Sequence, residues 1–182
     1  MGDIVKIVSA EIYKQSKTKS SKTVPVMILV ITALVFLAVS AASDNLSLGL
    51  ASGFYITAAS LGWIIKAVSF AAVIITCFQI SNEFSMGTVK AAWVQPLSRS
   101  HWYSGKLLHS CIICWSVLLA AVALLILLSS LKYNFDPLIE NNYQIHSEPE
   151  LWFKLGLALI LTLWVISVII AATSVISIIF NA

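Results

Sequence analysis

The sequence predicts an all-α, polytopic helical membrane protein: four transmembrane helices, an N-terminal interfacial helix, and a short amphipathic helix on the cytoplasmic side. Three observations carry this. First, 59% of the 182 residues are hydrophobic and only 10% are charged, with a mean hydropathy of +0.95. Average soluble composition is roughly one quarter charged, so there is too little polar surface here to cover a core in water. Second, four apolar stretches are long enough to cross a hydrocarbon core of about 30 Å at about 1.5 Å per residue. Third, basic residues gather in alternate connections, as the positive-inside rule requires. Charge this sparse excludes a nucleic-acid partner, and topology accounts for the net charge of +3.

The chain reads as a single transmembrane domain over 1–182. Residues 3–19 place Ile4, Ile7, Val8 and Ile12 at helical spacing, with Lys6, Glu11 and Lys14 off that stripe. This pattern predicts a helix lying in the membrane interface, its lysines on anionic headgroups. It does not read as a secretory signal, because Asp3, Lys6 and Glu11 interrupt the apolar residues. Lys6 also stands where a myristoylation signal needs Ser or Thr.

The first span covers about 24–43, with Pro25 in its first turn, where a missing N–H costs little. The second is harder to bound, since apolar sequence runs from Leu48 to Ile80, too long for one straight crossing. Gly49, Ser52, Gly53, Thr57, Ser60 and Gly62 weaken its first half. The crossing is therefore placed at 61–80, and the weaker half belongs to an outer loop, 44–60. The third and fourth spans cover about 107–131 and 152–180, joined by an outer loop at 132–151.

Lys6, Lys14, Lys17, Lys19 and Lys22 precede the first span, and Lys90, Arg99 and Lys106 lie between the second and third. Residues 44–60 contain no base, and 132–150 carry Lys132 against Asp136, Glu140, Glu148 and Glu150. Both termini and segment 81–106 are thus expected in the cytoplasm of a multi-pass cell-membrane protein. The acidic outer loop reads as a solvated connection and matches no calcium loop.

Segment 81–106 reads "SNEFSMGTVKAAWVQPLSRSHWYSGK". Gly87 and Thr88 can open a helix, because Thr caps free N–H groups. Val89, Trp93 and Leu97 then fall on one apolar stripe, with Lys90 off it. Pro96 stops that element at Gln95. Ser98 can cap the next helix, which carries Arg99 and Lys106 into the third span, and Trp102 and Tyr103 suit the headgroup layer. A lone carboxylate at Glu83 calls for a partner among Lys90, Arg99 and Lys106.

These residues resemble the cytoplasmic loop of type-2 ABC transporter permeases, the membrane subunits of ATP-driven exporters. Glu83, Gly87, Thr88, Pro96, Ser98, Arg99 and Lys106 match the acid, the Gly-Thr pair, the Pro-x-Ser-Arg turn and the lysine entering the third span. The resemblance implies an ATPase-coupling set of Glu83, Gly87, Thr88, Val89, Trp93, Pro96, Leu97, Arg99 and Lys106, with Val89 to Leu97 as the coupling helix. It also implies a separate cytoplasmic ABC ATPase that holds ATP and magnesium, with no cofactor in this chain, and a second permease copy or a related permease. Against the six spans typical of the family, the sequence stops just after the fourth. This reads as an incomplete chain lacking two spans, or else as a minimal permease that needs another subunit.

No catalytic set is visible, so the chain is not expected to be an enzyme. Gly105-Lys106 is followed by Leu107, and Ser100 stands where a phosphate-binding loop has its first glycine. His101, His109 and His146 are scattered, and no H-E-x-x-H or paired intramembrane carboxylate exists. Cys111 and Cys114 form a C-x-x-C pair near His109, while Cys77 lies in the second span. All three read as small buried hydrophobes, with no metal site expected.

Polar residues within spans point to a pathway, and Lys66, Thr76 and Gln79 of the second crossing are the candidates. If the span begins near Leu61, the Lys66 amine can snorkel to the outer headgroups. If it begins nearer Tyr55, Lys66 lies deep and becomes a contact for an anionic substrate or lipid. The alternative function is a small four-span interaction or accessory protein that transports nothing, and an intramembrane enzyme is the weakest reading.

Overall fold

The computed structural model describes residues 2–17, 19–45, 52–85, 99–136, 138–140 and 143–181. Its helices are α1 (Gly2–Lys17), α2 (Lys19–Asn45), α3 (Gly53–Ser85), α4 (Arg99–Lys132) and α5 (Glu148–Asn181). A two-stranded antiparallel hairpin, β1 (Leu138–Glu140) with β2 (Tyr143–His146), sits in the connection between α4 and α5. The fold is all-helical apart from this hairpin, and α2 to α5 are each long and apolar enough to cross a membrane. The chain is a membrane-embedded, multi-pass protein. Its outward side chains agree: Phe153, Trp164 and Phe180 are 72%, 73% and 85% exposed, an arrangement suited to lipid and unsuited to water.

Helix α3 extends eight residues N-terminal of the crossing placed at 61–80, starting at Gly53. The residues that weaken hydropathy there are the ones that build the helix start. Ser52 caps it: its Oγ accepts the Tyr55 N–H at 3.3 Å, and its carbonyl accepts the Ile56 N–H at 3.2 Å. The Gly53 N–H donates to the Asn134 carbonyl at 2.8 Å. A Cβ on Gly53 would lie 3.2 Å from the Phe135 ring, so glycine permits that approach. Thr57 donates to Ser129 on α4 at 3.0 Å, both side chains fully buried. Small and hydroxylated residues let membrane helices come close, which is what hydropathy alone misreads as weakness.

The chain divides into two compact units. The unit formed by Val26–Val68 and Val117–Trp164 buries Ile56, Ile64, Leu118 and Leu125 completely. Phe54, Phe135 and Trp152 form a three-ring cluster with centroids 5.0 to 5.3 Å apart. Lys132 pairs with Asp44 at 2.5 Å, and the Tyr133 hydroxyl donates to the same carboxylate at 3.0 Å. Pro149 sits in the first turn of α5 between Glu148 and Glu150, where a missing N–H is harmless and acids suit the helix dipole. Glu150 pairs with His146 at 3.1 Å and with Lys154 at 2.9 Å.

The other unit comprises Met1–Pro25, Ser69–Ser116 and Val165–Ala182. Ala72, Ile80, Cys111, Cys114, Ile166 and Ile170 are buried here. Both cysteines are free and packed as small apolar groups. Polar contacts between α4 and α5 include the Tyr103 hydroxyl with Ser174 Oγ at 2.7 Å, and Trp115 Nε1 donating to Ser167 at 3.2 Å.

Candidate functional site

The last turn of α3 carries Glu83, the second turn of α4 carries Lys106, and α1 lies against both. Lys106 is 4% exposed and Glu83 is 7% exposed. The Lys106 ammonium donates to Glu83 Oε1 and to Glu11 Oε1, the latter at 2.5 Å. Lys14 donates to Glu83 Oε1 at 3.3 Å. Charges therefore alternate, Lys14–Glu83–Lys106–Glu11, across three helices. Of the partners expected for Glu83, Lys106 is the one observed. Lys90 lies outside the described residues, and so does the Arg99 side chain.

Helix α1 supplies this geometry from one face. Ile7, Glu11 and Lys14 recur at i, i+4 and i+7, one stripe of a 3.6-residue period. Ile7 packs against Gly105, where an added Cβ would lie 2.7 Å from Ile7 Cγ2. Glycine at 105 is thus the condition for α1 to approach α4 closely enough to bring Glu11 onto Lys106. Of the stripe predicted to face lipid, Val8 is buried while Ile12 is 47% exposed, so α1 divides its surface between protein and surroundings. Periodicity puts Glu11 and Lys14 off that stripe and the lysines on headgroups, whereas both side chains reach the ionic cluster. Their one sequence signal is a single glutamate in an otherwise lysine-rich tail.

One turn back on α3, Gln79 Oε1 accepts the Ser110 hydroxyl at 2.5 Å, and the Gln79 amide nitrogen meets His109 Nδ1. With that nitrogen donating, neutral His109 carries its proton on Nε2. Thr76 is buried and donates to the Ala72 carbonyl of its own helix at 2.8 Å. A small pocket, with room for about one water molecule, is bordered by Thr76, Gln79, Lys106, Ser110, Tyr103 and Ser174. Thr76 and Gln79 therefore stand together beside the ionic cluster. Lys66 belongs to the other unit; it is exposed, its amine 4.5 Å from the centroid of the Trp63 ring.

Gly87, Thr88, Val89, Trp93, Pro96 and Leu97, and the predicted helix they form, lie outside the described residues. Arg99 opens α4. Among the described residues no group of three His, Cys, Asp or Glu side chains could hold a metal ion.

The cluster ties three helices together. A lysine held in low dielectric by two carboxylates has few alternative arrangements, since losing either partner strands a charge. It joins the end of α3 to the start of α4, the two helices that flank segment 86–98, and fastens α1 to both. The sequence profile of a family described as ABC-2 family transporter protein matches residues 7–182. No curated protein and no solved structure matches the chain. Four membrane-crossing helices and a family match over nearly the whole length place this protein in the ABC-2 transporter family, whose members are the membrane permease components of ABC transporters.

Proposed function

We propose that the chain is the transmembrane subunit of an ATP-driven exporter, acting with a separate cytoplasmic ATPase that binds ATP and magnesium, and paired with a second permease. The N-terminus and segment 81–106 are cytoplasmic in this reading, supported by the lysines before α2 and the absence of any base in 44–60. The Val89–Trp93–Leu97 stripe docks on the ATPase, and movement of that element passes to α3 and α4 together.

The observation that supports it best is the buried Lys106 shared by Glu83 and Glu11. A loop that merely connected two spans would not need a charge cluster of this cost at its base. Trp93→Asp puts a charge on the apolar docking stripe. Co-purification of the ATPase from membranes is expected to fall at least tenfold while the membrane subunit still inserts. Unchanged ATPase recovery with Trp93→Asp would remove the docking assignment. Recovery of other membrane proteins with no ATPase would favour the accessory-protein reading.

A further inference from the structure

The lysine in the middle of α3 is the polar group that the coupling cluster leaves unexplained. Lys66 is the fourteenth residue of this 33-residue helix, which continues for nineteen residues beyond it. Phe54, Phe135 and Trp152 cluster near the helix start, and Trp with neighbouring rings favours the headgroup level. Twelve residues separate Phe54 from Lys66, about 18 Å along the axis. Headgroup regions are roughly 5–8 Å thick, so Lys66 sits on the order of 10 Å inside the hydrocarbon layer. A four-carbon stem does not bridge that distance to the headgroups. The helix start at Gly53 thus selects the deep alternative for Lys66 over snorkelling.

At that depth a charge facing lipid tails costs about 2.5–3.5 kcal/mol or more, yet Lys66 is exposed. Among the described residues no carboxylate pairs with it. Its contact is the Trp63 ring, itself 60% exposed. A ring face orients an ammonium without neutralising it. One turn earlier, Gly62 is exposed, and a Cβ added there meets nothing within 4 Å, so the helix surface before Lys66 is open.

We propose that Lys66 and Trp63 form a mid-membrane site for the anionic group of an amphipathic transported molecule. Lys66 meets its carboxylate, sulfonate or phosphate, and the free area of Trp63 meets its apolar part. Lipid headgroups are too far away in an undisturbed leaflet to be the occupant. The inference rests on the permease reading and adds a substrate class to it.

Charge-selective labelling tests it, in the full chain reconstituted in phosphatidylcholine vesicles, with the wild-type chain and its three cysteines as background. Gly62→Cys introduces a thiol where there is space. Two water-soluble methanethiosulfonates are compared, one bearing a sulfonate and one a trimethylammonium. The expected result is reaction with both, the sulfonate faster by about fivefold or more, with the preference lost when Lys66→Gln is added. No reaction with either reagent would overturn the proposal by placing this face in lipid. A preference unaffected by Lys66→Gln would overturn it too. Repeating the labelling with anionic lipid separates the sources: a preference that survives supports the transported molecule, and one that disappears assigns the site to a lipid headgroup and overturns the proposal. Labelling needs no ATPase, so loss of ATPase association with selective labelling intact would sink only the exporter reading.

Discussion

Lys106→Met is expected to lower the unfolding free energy of the detergent-solubilised protein by about 3–5 kcal/mol. The methionine fills much of the stem's volume, so the loss is electrostatic. Glu83 and Glu11 both ion-pair with this ammonium in a site where the lysine side chain is 4% exposed. Removing it strands two carboxylates that shared one ammonium, while Lys14, which also pairs with Glu83, is 57% exposed. Lys14→Met should cost about 0–1 kcal/mol, because an exposed pair is screened by solvent. Adding Glu83→Gln to Lys106→Met should recover part of the loss, since the two residues contact each other and their effects do not add. Denaturant or thermal unfolding of the four proteins measures this directly. Equal losses from Lys14→Met and Lys106→Met would mean that burial of the pair is not what holds it.

Gly105→Val is expected to lift α1 from α4. The first added carbon would already sit 2.7 Å from Ile7 Cγ2 and 3.0 Å from Ile7 Cβ. The Cβ contact involves the base of the side chain, so a rotamer change does not relieve it and the helix itself must move. Overpacking of this kind costs about 1–3 kcal/mol. Displacement of α1 also draws Glu11 away from Lys106, which couples this prediction to the first. Amide exchange in residues 4–14 should speed up by about ten- to a hundredfold, while exchange in the middle of α4 stays near its original rate. Combining Ile7→Ala with the milder Gly105→Ala should return exchange toward the starting value, since the clash then has room. Unchanged exchange in Gly105→Val would show that α1 is not seated on α4.

The fold class was legible because a bilayer leaves few choices. Four apolar stretches without water to satisfy their backbones become helices, and the lysine bias carries the proposed orientation. The start of α3 was less legible. Gly53, Thr57 and Ser60 lower hydropathy whether they end a span or pack against a neighbour, and only the pairing of Thr57 with Ser129 across 72 residues tells the two apart. The paired strands Leu138–Glu140 and Tyr143–His146 carry no alternating apolar pattern strong enough to announce them.

The candidate site divides in the same way. Glu83 demanded a cation by simple chemistry, and a nearby one in the chain was a sound choice. Glu11 is 95 residues from Lys106, and periodicity within α1 assigns it to the polar face without saying what that face meets. Gly105 read only as part of an imperfect phosphate-loop spacing. Its importance lies in the absence of a side chain at a helix crossing, a quantity that exists only in three dimensions.

The account depends on the stripe at Val89, Trp93 and Leu97 resting on a cytoplasmic ATPase. Photocrosslinking in intact membranes, with a benzophenone residue in place of Trp93, tests this most directly. The account predicts a covalent adduct whose mass equals this chain plus an ATP-binding subunit. Adducts with lipid alone, or labelling of position 93 by a membrane-impermeant reagent applied from outside the cell, would contradict it.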